Sequence, residues 1–211
     1  MGFRDREDAG RRLAALLRDV AGDRAVVLGV PRGGVPVAAE VARELAAPLD
    51  VVVVRKVGAP AQPELAIGAV AEGGVALVDR ESARRAGVAP GELEGLLAGR
   101  RAEVDARVRA LRGDVPARAL DGATAIIVDD GLATGLSDLA AVASARGRGA
   151  GRVIVAAPVG SEGAVALVGA EADECVCALV PRRFGSVGRW YGDFAPVPDE
   201  EVRALLARQP R

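Results

Sequence analysis

At 211 residues, half of them apolar, the chain is long enough to close one sizeable core. A formal net charge of −1, with both signs interspersed, argues against a general nucleic-acid surface, and no apolar run approaches membrane length. The absence of histidine removes Ser-His-Asp and Cys-His chemistry and the common histidine metal sites, and no Walker A loop surrounds the one lysine, Lys56.

Leu13, Leu16, Leu17 and Val20 recur at helical spacing and predict an amphipathic opening helix over 4–21. The mixed charges from Arg4 to Glu7 are unlike a signal peptide, so the cytoplasm is the expected location. Residues 25–30 read as a buried strand that runs into Pro31-Arg32-Gly33-Gly34 and then a helix over 35–45. A Gly-Gly pair lets backbone come close to a ligand, although a simple tight turn would use one as well. A valine run predicts a strand over 51–54, delivering Arg55 and Lys56. The segment 58–64 that follows is too poor in apolar residues to pack and is expected to be a mobile loop. Arginine supplies 27 of the 28 cations, so a generic cation is arginine here. Lys56, a compact point charge with rotatable donors, is therefore a candidate anion ligand.

Residues 65–71 and 75–78 predict paired strands around Glu72-Gly73-Gly74. The segment 90–112 is strongly helical, with Leu93, Leu96, Leu97, Val104, Val108 and Leu111 on one face and a charged face read as solvated. The β-branched run 125–128 then turns into two adjacent carboxylates, Asp129 and Asp130. A small-residue loop, Gly131-Leu132-Ala133-Thr134-Gly135, leads to a helix reaching about residue 146. Strands over 153–157 and 174–180 flank a helix over 162–168. Cys175 and Cys177, on the last strand, are too few for a closed zinc site and read as buried free thiols. Four of the five aromatics, Phe184, Trp190, Tyr191 and Phe194, gather near the end. A short helix follows, with Asp199 as its expected N-cap.

Buried strands alternating with amphipathic helices imply a doubly wound, Rossmann-like parallel α/β sheet. Loops at the carboxyl ends of such strands share one edge, where ligands bind. Four segments fall there: 31–34, Lys56 with its loop, 129–137 and 158–161. The amides of Gly131 to Gly135 and of the following helix start suit a phosphate dianion, with hydroxyls from Thr134 and Ser137. Asp129 and Asp130 would repel phosphate but match vicinal hydroxyls or a divalent cation. The bland alternative is a βα turn whose acidic residue caps a helix.

The stretch Ile126-Ile127-Val128-Asp129-Asp130-Gly131-Leu132-Ala133-Thr134-Gly135-Leu136-Ser137 resembles the PRPP-binding motif of the type I phosphoribosyltransferases. That resemblance implies a core over 1–180, including a flexible loop at about 57–74 and a long helix at about 90–112, with a hood or tail over 181–211. It implies ribose binding by Asp129 and Asp130, and 5′-phosphate binding by Gly131, Ala133, Thr134, Gly135 and Ser137. Pyrophosphate would face Arg32, Gly33, Gly34 and Lys56, and catalysis would rest on Lys56, Arg32, Asp129 and Asp130. Trp190 or Tyr191 would stack on the acceptor, the alternative being an aromatic core that pins the tail. Mg²⁺ is the implied cofactor, without dedicated ligands but within reach of Asp129 and Asp130 through water. The implied partners are PRPP and a small base or amine, with no nucleic acid or membrane, and a homodimer stays open. Some purine-using members carry an acid at the position of Ala133, so no general base is assigned there. A PRPP-sensing regulator, or a hydrolase or phosphorylase of a ribose phosphate, are the competing expectations.

Overall fold

The chain folds, in order, into α1 (Arg6–Leu17), β1 (Ala25–Gly29), α2 (Gly34–Glu44), β2 (Leu49–Val51), β3 (Val54–Ala59), β4 (Gln62–Ala71), β5 (Ala76–Val78), α3 (Arg80–Arg85) and α4 (Pro90–Arg112). It continues through β6 (Thr124–Val128), α5 (Leu136–Gly147), β7 (Arg152–Val159), α6 (Glu162–Gly169), β8 (Glu174–Leu179), a 3-10 turn (Val187–Trp190) and α7 (Asp199–Ala207). The structure is a computed structural model and describes residues 2–208. Among these, no helix is long and apolar enough to cross a membrane.

Five strands form a wholly parallel sheet in the order β2-β1-β6-β7-β8. Their continuous apolar runs follow from burial on both faces. Val26, Leu28, Ala125, Ile127, Val153 and Val155 pack toward the side of α5 and α6, while Val27, Ile126, Val128, Ile154 and Ala156 pack toward that of α1 and α2. Register brings the carboxyl ends level, since Gly29 pairs with Val128, and Val128 with Ala156. This is the doubly wound architecture expected from the sequence.

The valine run holds a surprise. Rather than one strand over 51–54, it supplies the end of β2 and the start of β3, which belongs to a separate antiparallel sheet, β3-β4-β5. Val51 to Val53 are wholly buried, so apolar character alone gave no sign of the change of sheet. Lys56 accordingly lies inside a hairpin strand rather than at the carboxyl end of the parallel sheet. The segment 58–64, expected as a mobile loop too poor in apolar residues to pack, is mostly hairpin, turning at Pro60 and Ala61 with Ala59 opposite Gln62. Backbone pairing needs no apolar side chains, and Gln62, exposed at the start of β4, pairs with Ala59. Gly58 fits here because an added Cβ would lie 2.3 Å from the Pro63 carbonyl oxygen.

Helix α4 has the predicted bounds, but its charged face is not simply solvated. Arg112, at its end, donates to Asp50 at 3.0 Å and to Glu72 at 2.6 and 3.2 Å, all in the interior. Helix α3 escaped the sequence reading; Asp79 caps it by accepting from the Ser82 amide at 2.9 Å. Pro198 holds the cap position of α7, which places Asp199 inside the first turn. Cys175 and Cys177 are free but half-buried rather than buried, and burial pushes both thiols up to about 11.

Candidate functional site

At the carboxyl edge, β1 and β6 press two loops together. The Val30 amide donates to the Val128 carbonyl at 2.9 Å, and the Gly34 amide to the Val30 carbonyl at 3.0 Å. A Cβ at Gly34 would sit 2.5 Å from the Val128 oxygen, and one at Gly33 only 1.9 Å from Asp130 Oδ2. Gly33 has ordinary helical angles, φ −62° and ψ −34°. Its glycine is therefore required by space and not by backbone conformation. The Gly-Gly pair and the acidic pair, distant in sequence, form one surface.

The loop after the acidic pair is braced from β7. The Leu132 amide donates to the Val159 carbonyl at 2.9 Å, the Ser161 amide to the Leu132 carbonyl at 2.8 Å, and Ser161 Oγ to the Ala133 carbonyl at 2.9 Å. Gly135, at φ 80°, turns the chain into α5, a left-handed conformation that glycine adopts without strain. Ala133 and Thr134 are exposed. Among the described residues, the amides of Ala133, Thr134 and Gly135 find no acceptor in the protein. A held loop with free amides at a helix N-terminus has the donor geometry that suits an anion.

Asp129 accepts from the Asp130 amide at 2.8 Å. Burial pushes its carboxyl well above the usual range, followed by the negative charges of Asp138 and Asp130, while Lys56 pulls the other way. Burial also raises Asp130 against the opposing pull of Arg6. Asp138, in the first turn of α5, is 3% exposed, and burial pushes it up to about 7. Its Oδ1 is buried without a hydrogen-bond partner. Lys56 is exposed on β3, close enough to lower both Asp129 and Asp138. Arg32 lies half-exposed with Nη1 3.8 Å from Asp199 Oδ1.

Sequence reasoning missed two participants. Arg6 donates through Nε and Nη2 to Asp130 Oδ2 at 3.0 and 2.9 Å, and its guanidinium lies 4.0 Å over the Phe194 ring. This leaves Asp130 Oδ1 as the freer oxygen. No local signal marked Arg6, since its partner is 124 residues away. Asp138 did carry a signal: it shares the buried α5 face with Ala141, Val142 and Ala145, where an acid is out of place.

The aromatic residues form a core that ties the tail to the site. Tyr191 lies between Phe3 and Phe194, with ring centroids at 5.5 and 5.0 Å, and its hydroxyl donates to the Asp130 carbonyl at 2.7 Å. At 8% exposure it offers little surface to an acceptor. Trp190 donates to the Phe184 carbonyl at 3.0 Å and is half-buried.

A parallel α/β sheet whose carboxyl edge carries an acidic pair, a free-amide loop and a helix start is an architecture that suits a phosphate ester. The chain belongs to the phosphoribosyl transferase domain family, whose model matches residues 4–178. Two Mycobacterium tuberculosis proteins, from strains H37Rv and CDC 1551 and provisionally named phosphoribosyl transferases, are each 44% identical over 209 residues. The match takes in 99% of this chain but 47% of theirs, so the chain spans about half the length of these curated relatives. The crystal structure of TT1426 from Thermus thermophilus is 45% identical, with a TM-score of 0.84 over 99% of each chain. The AQ2163 protein of Aquifex aeolicus, at 11% identity and a TM-score of 0.50 over 83% of this chain and 74% of its own, shares the fold.

Proposed function

We propose that the chain transfers the 5-phosphoribosyl group of PRPP to a nitrogenous base or amine, releasing pyrophosphate. The observation that carries this reading is the meeting of Asp129, Asp130 and the free-amide loop with Gly33 and Gly34 on one sheet edge. The 5′-phosphate sits on the amides of Gly131, Ala133, Thr134 and Gly135, with the Thr134 and Ser137 hydroxyls beside it. The ribose hydroxyls donate to Asp129 and to the free Oδ1 of Asp130, whose other oxygen Arg6 holds in place. Pyrophosphate faces Gly33 and Gly34, with Lys56 and Arg32 as cations.

The bond broken is that from the anomeric carbon to pyrophosphate, and the incoming nitrogen forms the new one. Charge develops on the leaving group, so positioning and neutralisation dominate. Among the described residues, no cluster of three or more metal-ligating side chains exists. A hydrated Mg²⁺ held mainly by substrate oxygens fits that donor set, with Asp129 and Asp130 reaching it through water. Such a cation, when bound, neutralises charge on the departing pyrophosphate. In this reading the exposed arm of the β3–β4 hairpin closes over the site and excludes water, whose attack competes.

Alanine at 133 supplies no general base, which disfavours hypoxanthine and guanine as acceptors. Trp190 is the aromatic available to stack on a flat acceptor. In this reading residues 1–180 form the catalytic core, and the tail over 181–211 braces it through Tyr191. The test is PRPP-dependent pyrophosphate release across a panel of bases and amines with Mg²⁺. One or more acceptors should support release; absence of both release and PRPP binding would overturn the reading.

A further inference from the structure

Of the four segments at the carboxyl edge, the turn after β7, Val159-Gly160-Ser161, is the one that carries no group assigned to PRPP. It lies alongside the loop after Asp130, where Leu132 bridges to Gly160 in parallel pairing. Glycine at 160 permits that approach. A Cβ there would stand 2.8 Å from Val165 Cγ2 and 3.2 Å from both Cys177 Sγ and Leu132 Cβ. Ser161 then holds two consecutive carbonyls of the neighbouring loop. Its amide donates to the Leu132 carbonyl at 2.8 Å, and its hydroxyl donates to the Ala133 carbonyl at 2.9 Å. The same hydroxyl accepts from the Ala164 amide at 3.1 Å and so caps α6. A serine hydroxyl has one proton to give and lone pairs to receive, so both contacts fit on one oxygen.

These carbonyl contacts fix where the loop's amides point. In a trans peptide the carbonyl and the following N–H share one plane and point in opposite directions. Both peptides here are trans. Holding the Leu132 carbonyl toward Ser161 therefore turns the Ala133 N–H away from Ser161. Holding the Ala133 carbonyl turns the Thr134 N–H away in the same manner. These are the exposed amides that find no acceptor among the described residues. Rotation of either peptide would withdraw a donor and present a carbonyl oxygen, which repels an anion. Glycines at 131 and 135 flank the segment and would permit such rotation in a loop left unbraced. Helix α6 completes the brace, since a Cβ at Gly135 would lie 3.0 Å from Val168 Cγ2 and 3.4 Å from the Ala164 oxygen.

We propose that Ser161 is a positioning residue for the phosphate loop, aiming the Ala133 and Thr134 amides at the 5′-phosphate of PRPP while touching no substrate atom itself. The role rests on the PRPP reading of that loop. Capping of α6 would by itself account for a serine at this position, so the two roles of the hydroxyl have to be separated.

The test is calorimetry with PRPP and Mg²⁺ on the full chain, as wild type, Ser161→Thr, Ser161→Ala and Ser161→Gly, with a melting temperature for each. Threonine keeps the hydroxyl and suits the extended backbone at 161, φ −70° and ψ 148°, so it should restore wild-type affinity. Alanine removes brace and cap together, and should bind PRPP ~3- to 10-fold more weakly with a lower melting temperature. Glycine caps a helix nearly as well as serine but offers no hydroxyl. Ser161→Gly should therefore melt closer to wild type than Ser161→Ala yet lose as much PRPP affinity. Affinity that follows the melting temperature, weakened in the alanine variant and intact in the glycine variant, would reduce Ser161 to a helix cap and overturn the proposal. Wild-type affinity in Ser161→Ala would overturn it as well, and would leave the PRPP reading standing. Absence of PRPP binding by wild type would overturn both.

Discussion

Replacing Gly33 with alanine sets two effects of opposite sign against each other. Its backbone is already helical, so alanine would ordinarily stabilise by about 0.4–1 kcal/mol through a less flexible unfolded chain. Here the new Cβ meets Asp130 Oδ2 at 1.9 Å, and an ordinary contact needs 3.4 Å. Asp130 must retreat, and that oxygen holds both Arg6 contacts, at 3.0 and 2.9 Å. The Arg6 and Asp130 side chains are 12% and 16% exposed, so water compensates poorly. Loss of such a charge-assisted pair costs about 1.5–3 kcal/mol, approaching 3–5 kcal/mol if the ions are left buried and apart. The clash wins, and Gly33→Ala should lose roughly 1–3 kcal/mol net. At this chain length that is a fall in melting temperature of roughly 2–12 °C. Thermal unfolding reads the stability, and calorimetry with PRPP reads the displaced carboxylate as weakened binding. A variant as stable as wild type, with unchanged PRPP affinity, would refute this account of the glycine.

Three further outcomes are expected. Arg112→Met should cost about 3–5 kcal/mol in urea unfolding, because Asp50 and Glu72 stay buried without their cation; a loss under ~1 kcal/mol would contradict the buried network. Asp138 holds a proton in the folded state that the unfolded chain releases, since burial raises it from 3.8 to about 7, so wild-type stability should fall as pH rises between those values. Asp138→Asn removes that loss, so the variant should gain on wild type from pH 5 to pH 8, and a pH-independent gap would argue against it. Lys56→Ala should lower turnover more than PRPP affinity, whereas equal losses would speak against a role concentrated in the transition state.

The parallel core was legible because strands buried on both faces leave unbroken apolar runs, as in 125–128 and 153–157. The strand, acidic pair, small-residue loop and helix start of the proposed cradle are contiguous, so their order along the chain was legible. What escaped depended on distance or on ambiguity of period. Four consecutive valines look alike whether they continue one sheet or pass into another, so Lys56 was placed on a strand end and found in a hairpin. Arg112 and Arg6 looked like surface charges, because the carboxylates that bury them come from remote segments. Asp199 resembled an N-cap on composition, yet Pro198 holds that position and Asp199 turns instead to Arg107.

The central claim is that the loop after Asp130 seats the phosphate of PRPP, and calorimetry of PRPP with Mg²⁺ tests it most directly. Wild type should bind one PRPP per chain. Thr134→Val, an exposed and nearly isosteric change, should weaken binding ~10-fold or more with an unchanged melting temperature. Wild-type affinity in that variant, or no binding by wild type, would contradict the account.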